Sequence, residues 1–99
     1  MDITRIRTKA DYDEAYRLSV EDPEGFWAAQ AETFTWRKKW NKVLEWDFTK
    51  PEVKWFKGGK LNITENCLDR HLDKRGNKLA LIWEPNDPHE RFVRYTYRE

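Results

Sequence analysis

The sequence contains few residues that would tie it to an oxidising compartment or to a membrane. Among its 99 residues there is one cysteine, Cys67, which cannot form an intramolecular disulfide and so favours a reducing compartment. The first residues, Met1 to Arg5, lack the apolar run of a signal peptide. No apolar stretch approaches the roughly 20 residues that span a bilayer. We therefore expect a soluble, cytoplasmic chain.

The sequence also lacks an excess of charge of either sign. Nineteen basic against eighteen acidic residues give a net charge of +1, far from the concentrated positive field that nucleic acid or an anionic membrane requires. One segment resembles a binding surface for single-stranded nucleic acid, because basic residues are interleaved there with tryptophans: Trp36, Arg37, Lys38, Lys39, Trp40, Lys42 and Trp46. The balanced charge favours a solvated loop with docking tryptophans, so we expect neither nucleic acid nor a membrane as partner.

Motifs for catalysis, cofactors or metals are missing as well. Gly58-Gly59-Lys60 does not fit a phosphate-binding loop, because Lys54 stands where an earlier glycine is needed and Leu61 where Ser or Thr should follow the lysine. Cys67 and His71 have the spacing of neighbours on a helix, but only His89 remains to complete a zinc site. These two side chains are better explained as packing residues. The sequence predicts no catalytic, cofactor-binding or metal-binding residue.

Large rings, by contrast, are abundant. Six Trp, five Phe and four Tyr make up 15% of the chain. Aromatic side chains bury much area each, so a few of them can hold a small fold together. The chain has more rings than a thin fragment can enclose, and we expect several Trp faces to remain for another surface.

Capping patterns predict helices in the first third of the chain. Thr8-x-x-Asp11 is typical of a helix start, and that helix should end at Asp22 because Pro23 disfavours helical geometry in the residue before it. Asp22 and Pro23 then suit the start of a second helix, as N-cap and first-turn proline. The second helix is apolar nearly all round, so it should make contacts on more than one side.

The remaining pattern predicts an α+β fragment. Val43–Phe48 favours a strand or extended arm, and Val53–Phe56 with Gly58-Gly59 favours extended chain followed by a tight turn into Lys60–Asn62. A third helix should run from about Ile63 to Lys74, with Asn62 as N-cap and an inward side carrying Cys67, Leu68, His71 and Leu72. Lys78–Glu84 and Arg91–Tyr97 should form an antiparallel hairpin, the first strand being apolar enough to be covered on both faces.

Several of these segments resemble the N-terminal region of AMP-forming acetyl-coenzyme A synthetases (acetate–CoA ligases), in the adenylate-forming superfamily. The resemblance covers nearly the whole chain and rests on the following stretches: Asp22–Trp27, Trp40–Leu44, Trp46–Phe48, Trp55–Asn62, Asn66–Leu72, Ala80–Glu84 and Tyr95–Glu99. It implies that residues 1–84 form the N-terminal region and that residues 85–99 begin the AMP-binding domain. Thr96-x-x-Glu99 has the spacing of a capping box, which we interpret as the start of a helix in a longer polypeptide.

The resemblance also implies a reaction for the parent enzyme. Acetate and ATP would give acetyl-adenylate and pyrophosphate, and the thiol of coenzyme A would then displace AMP, with Mg²⁺ as the metal. The Pro-Lys-Gly loop and the later nucleotide motifs of the family are absent from these 99 residues, so the fragment alone should be inactive. Its expected role is to pack against the catalytic domain, and in a homo-oligomer to support subunit contacts, through Trp55, Phe56, Leu68, Leu72 and Trp83.

Two alternatives stay open. A stand-alone module that binds a protein partner through exposed tryptophans would have the same composition. A propionate- or acetoacetate-activating relative would share the same type of N-terminal segment.

Overall fold

Two helices precede the first of two hairpins in the computed structural model, which describes residues 5–99. The elements are α1 (Lys9–Glu21), α2 (Pro23–Ala31), β1 (Lys42–Asp47), β2 (Glu52–Lys57), α3 (Ile63–Cys67), α4 (Leu72–Arg75), β3 (Leu79–Trp83) and β4 (Val93–Thr96). They fall into two compact units, the first reaching Leu61 and the second starting at Asn62. The predicted α+β class is confirmed. Residues 1–4, part of the signal-peptide argument, lie outside the described residues.

α1 begins at the predicted capping box. The Thr8 hydroxyl accepts a hydrogen bond from the Asp11 amide at 3.1 Å, and the Asp11 carboxylate accepts from the Thr8 amide at 2.9 Å. The Arg7 amide also donates to this carboxylate at 3.0 Å. Hydrogen bonds from the amide of Arg7 and from Thr8 hold the pKa of Asp11 below its ordinary value.

Asp22 ends one helix and begins the next, as predicted. Its amide donates to the Leu18 carbonyl at 3.0 Å, which closes α1. Its carboxylate accepts from the Gly25 amide at 3.0 Å, and Pro23 occupies the first turn of α2. One side chain therefore sets the bend between the two helices.

β1 and β2 form an antiparallel hairpin, with Leu44 opposite Trp55 and Trp46 opposite Val53. The turn between them is built on Asp47, whose carboxylate accepts from the Thr49 amide at 2.9 Å. The chain after the predicted Gly58-Gly59 turn does not pair with β2, since Lys60 instead bridges to Lys38. Gly58 does adopt a left-handed conformation, with φ +79°, inside a turn closed by the Gly59 amide on the Phe56 carbonyl at 2.9 Å.

The third helical region forms at the predicted place but is not continuous. α3 ends at Cys67, a 3₁₀ turn occupies Asp69–His71, and α4 follows. Asn62 caps α3 as predicted, accepting from the Thr64 amide at 2.9 Å. The buried Asn66 side chain donates to the Asn62 carbonyl at 3.0 Å. Such side-chain bonds to backbone compete with regular helix, and Leu68 leaves it with φ −121° and ψ −66°.

β3 and β4 form the predicted antiparallel hairpin. Leu79 faces Thr96, but Leu81 faces Tyr95, so one residue of β3 bulges between these pairs. Beyond β4, the Thr96 amide donates to the Glu99 carboxylate at 3.0 Å and the Glu99 amide to the Thr96 hydroxyl at 3.4 Å. The Thr96 amide bond is the main reason that the pKa of Glu99 is lowered. Both bonds of a capping box are therefore formed.

Little apolar side-chain area is buried in the described residues. The buried apolar residues are Ala15, Ala31, Val43 and Leu44, all in the first unit, and the buried polar residue is Asn66. Along residues 5–99, no helix combines the length and the apolar character that crossing a membrane demands. The stability of each unit must come largely from half-buried rings and backbone hydrogen bonds.

Candidate docking surfaces

Three rings form the interior aromatic cluster of the first unit. The Trp36 and Trp40 ring centroids lie 4.9 Å apart, and Phe56 lies 5.5 Å from Trp36 and 5.3 Å from Trp40. Trp36 also donates from its indole nitrogen to the Ala31 carbonyl at 2.8 Å, which ties the cluster to the end of α2. All three rings are half-buried. Phe56, expected to pack on other polypeptide, is thus already engaged within its own unit.

A second set of aromatic and aliphatic side chains in the same unit is exposed, and we name it the tryptophan strip: Trp27, Trp55, Val53, Trp46 and Phe48. Trp27 and Trp55 meet edge to face at 6.2 Å, and Trp46 and Phe48 lie 4.8 Å apart. Val53 connects the two pairs, since it faces Trp46 across the hairpin and shares a strand face with Trp55. Every member is exposed, from 41% for Trp27 to 72% for Phe48.

The second unit presents its own apolar surface, the hairpin face: Leu81, Trp83, Val93 and Tyr95. These four side chains line an open groove of about 330 Å³. Leu68 lines an adjoining groove of about 340 Å³ together with Leu81 and Tyr95. Every residue of β3 is exposed, although its apolar sequence is typical of a strand covered on both faces. Such a patch is characteristic of a surface that meets another polypeptide.

Cys67 and His71 are not brought together on an inward helical side. The break at Leu68 leaves Cys67 exposed, and Leu68 itself is 44% exposed. The His71 ring is half-buried and lies 5.7 Å from the Tyr97 ring. The expected inward position is therefore wrong for Cys67 and Leu68. No group of three or more His, Cys, Asp or Glu side chains in residues 5–99 is placed to hold a metal ion.

A polar groove of about 230 Å³ lies at the turn end of the first hairpin, lined by Glu45, Trp46, Asp47, Lys50, Glu52 and Lys54. Lysines and carboxylates neutralise one another here, as where Lys50 lies 3.7 Å from Asp47. The hydrogen bond that the Thr49 hydroxyl donates to Asp47 is the main reason that the pKa of Asp47 is lowered. This carboxylate is therefore ionised at neutral pH. With three carboxylates against two lysines, the groove has no excess of positive charge that would attract a phosphate group.

The five residues expected from the sequence to pack on other polypeptide are divided between the two units. Trp55, Leu68 and Trp83 are exposed, while Phe56 and Leu72 are half-buried. Sequence reasoning named Trp46 as a docking tryptophan but missed Val53, Leu81 and Tyr95 as members of these surfaces. The predicted pairing of β3 with β4 could have indicated a shared face for Leu81 and Tyr95, whereas Val53 required the pairing of β1 with β2.

Comparison with known proteins shows the family of the chain. The family described as the acetyl-coenzyme A synthetase N-terminus matches residues 12–67. The chain belongs to this family. The matched stretch includes the tryptophan strip, the aromatic cluster and α3.

Curated relatives extend the match along most of the chain. The acetyl-coenzyme A synthetase of Alkalilimnicola ehrlichii is 55% identical over 82% of this chain and 13% of the relative. That of Leptospira biflexa is 56% identical over 90% of this chain and 14% of the relative. Acetyl-coenzyme A synthetase 2 of Pseudomonas aeruginosa is 47% identical over 90% and 14%. The chain spans about 14% of the length of the curated relatives that it matches.

Proposed function

We propose that the chain is the N-terminal structural segment of an AMP-forming acetate–CoA ligase and that its exposed rings pack against the catalytic part of that enzyme. The observation that carries the proposal is the exposure of Trp27, Trp46, Trp55 and Trp83, at 41–59% each, in a chain that matches only the start of much longer synthetases. Water-exposed indoles in such number are unfavourable for a free fragment and favourable for a segment that is covered.

The packing residues in this proposal are Trp55, Leu68 and Trp83, which are exposed, and Phe56 and Leu72, which are half-buried. The tryptophan strip and the hairpin face extend the contact on each unit. The proposed boundary between the N-terminal region and the AMP-binding domain stays between residues 84 and 85. The compact units divide earlier, at Leu61 and Asn62, because contacts within a fragment need not follow family boundaries.

The parent would catalyse the two-step reaction of its relatives, forming acetyl-adenylate from acetate and ATP and then acetyl-CoA. The described residues do not fit ATP, Mg²⁺ or coenzyme A. The grooves of the second unit are lined mainly by apolar side chains, and the three carboxylates of the polar groove in the first unit disfavour the phosphates of ATP and coenzyme A. Within residues 5–99, no group of three His, Cys, Asp or Glu side chains is placed to hold Mg²⁺. We therefore assign no step of the reaction to this segment.

The test uses the complete polypeptide that the gene encodes. It should release pyrophosphate from ATP when acetate is supplied, and it should turn over to AMP and acetyl-CoA only when coenzyme A is also present. The double variant Trp55→Ala/Trp83→Ala should lower the unfolding midpoint and leave the KM values for acetate, ATP and coenzyme A unchanged. Tyr16→Ala is the matched control, since Tyr16 is an exposed ring on α1, outside both surfaces.

A polypeptide without ligase activity would refute the proposal and favour the stand-alone interaction module. A large rise in the KM for ATP or coenzyme A in the double variant would place substrate contacts on this segment and refute the structural role. Propionate or acetoacetate used in preference to acetate would point to the neighbouring type of acyl-CoA ligase.

A further inference from the structure

Six basic residues lie at one end of the first unit, where the backbone of residues 37–42 lies beside that of residues 57–60. Lys38 faces Lys60 in an isolated bridge, and Lys42 faces Lys57 in the first hairpin. Arg37 and Lys39 flank these pairs. All six are exposed. We name this set the basic ladder: Arg37, Lys38, Lys39, Lys42, Lys57 and Lys60.

Like charges directly opposite each other on paired strands destabilise the pairing. Neighbouring carboxylates relieve part of the repulsion, since Lys39 forms an ion pair with Glu32 and Lys57 lies 3.1 Å from Glu45. The hydrogen bond from Lys57 is the main reason that the pKa of Glu45 is lowered. Within residues 5–99, no carboxylate lies at ion-pair distance from Lys38, Lys42 or Lys60. The ladder therefore keeps an unneutralised positive charge.

This charge is local and does not follow from the composition of the chain. The chain carries nineteen basic and eighteen acidic residues. Without the five lysines of the ladder and the carboxylates that pair with Lys39 and Lys57, Glu32 and Glu45, fourteen basic and sixteen acidic residues remain. The ladder is thus a positive surface on a chain that is otherwise net negative.

The interior aromatic cluster holds the ladder in place. Trp36 and Trp40 alternate with the basic residues along the chain, and the Trp36 ring lies so close to Gly59 that a β-carbon there would be 2.7 Å from it. The Gly59 amide closes its turn on the Phe56 carbonyl at 2.9 Å. Packing therefore fixes the backbone between Lys57 and Lys60. The Cα positions of these two lysines are fixed with it.

We propose that the basic ladder docks onto an acidic surface of the ligase polypeptide outside these 99 residues, an inference that rests on the proposed function. Charge complementarity supports this proposal. Carboxylates opposite Lys38, Lys42 and Lys60 would form ion pairs with these lysines and relieve the repulsion between them. The chain spans about 14% of its relatives, so polypeptide is the main neighbour available to it. Nucleic acid fits less well, since the remaining net negative charge would repel a phosphate backbone.

Carbodiimide coupling of the full-length ligase tests the contact directly, because this reagent joins a lysine to a carboxylate only where the two touch. Lys38, Lys42 or Lys60 should be linked to Asp or Glu residues beyond position 99, and high salt should reduce the yield. Lys50 and Lys54 serve as controls, since their nearest carboxylates, Asp47 and Glu52, lie on the same hairpin. Ladder lysines that couple only within residues 5–99 would overturn the proposal.

The sign of a stability change gives an independent test. In the double variant Lys38→Gln/Lys60→Gln, the unfolding midpoint of the full-length ligase should fall, because ion pairs are lost. A rise would show that only mutual repulsion was removed and would overturn the proposal. Lys50→Gln/Lys54→Gln is the matched control and should change the midpoint less, since exposed pairs contribute little.

Two further results keep this proposal separate from the proposed function. If the polypeptide is an active ligase and the Trp55→Ala/Trp83→Ala effects are as expected, but the ladder lysines stay uncoupled, only the ladder proposal fails. If a single-stranded oligonucleotide binds the full-length protein and Lys38→Gln/Lys60→Gln abolishes that binding, the ladder is a nucleic-acid surface and the proposal is overturned.

Discussion

Trp36 links α2 to the chain after β2, so its replacement should separate a hydrogen-bond contribution from a packing contribution. Trp36→Phe keeps a ring beside Trp40 and Phe56 but removes the indole donor that lies 2.8 Å from the Ala31 carbonyl. Loss of one such bond lowers the free energy of unfolding by about 1 kcal/mol. Trp36→Ala also removes the packing. A fully buried Trp→Ala change lowers stability by about 3–5 kcal/mol, and a half-buried ring should contribute roughly half of that.

The assay is urea unfolding followed by far-ultraviolet circular dichroism, which does not depend on the fluorescence of the ring that is replaced. Native-state hydrogen exchange at the Gly59 and Phe56 amides localises the change. Trp46→Phe is the control, because Trp46 is 59% exposed and should tolerate a smaller ring with little loss. The reasoning would be refuted if Trp36→Phe were as stable as the unsubstituted protein, or as unstable as Trp36→Ala.

Three local changes give further expected outcomes. Asp22→Ala removes the acceptor for the Gly25 amide and should lower stability by about 1 kcal/mol, measured as lost helical dichroism on heating; an unchanged melting curve would contradict the capping role. Gly59→Ala should destabilise the first unit, because its β-carbon would lie 2.7 Å from the Trp36 ring, and unfolding at the parent's urea midpoint would disprove the close approach. Asp11 has a folded pKa below its ordinary value of 3.8, so its stabilisation is complete above that value and is lost as pH falls through the folded pKa. Nuclear magnetic resonance titration of the Asp11 carboxyl measures this, and a midpoint at or above the ordinary value would contradict it.

Local sequence signals predicted the helix boundaries well. Thr8, Asp22 and Asn62 each act as the N-cap that their side chains and spacing indicate. The reason is physical, because a cap is a contact between residues three positions apart or fewer, and it needs no information from the rest of the chain.

Strand pairing was harder to predict from the sequence, because it depends on contacts between residues that are distant along the chain. Gly58-Gly59 has the composition of a hairpin turn, yet β2 pairs with β1, through a turn built on Asp47. Burial of Val43 and Leu44 in β1 stabilises the pairing of β1 with β2. The Gly58-Gly59 dipeptide carries no information about that burial. The interruption at Leu68 likewise depends on the bonds of the buried Asn66 side chain, which resembles any surface asparagine in the sequence.

The sequence predicted that exposed aromatic surfaces would exist, but it did not predict which residues would form them. The surplus of rings correctly indicated that several tryptophans would remain exposed, as Trp46, Trp55 and Trp83 are. Composition could not say which rings the chain would use itself. Phe56 was expected at the outer surface, but it closes the cluster with Trp36 and Trp40.

The most direct test of the account is hydroxyl-radical footprinting of the full-length ligase, read by mass spectrometry at single residues. Trp55 and Trp83 are 45% and 48% exposed within the described residues, and Tyr16 is 61% exposed. The account predicts that both tryptophans are strongly protected from oxidation in the full-length enzyme, while Tyr16 reacts as an exposed ring. Oxidation of Trp55 and Trp83 at the rates of accessible indoles would contradict the claim that other polypeptide covers them.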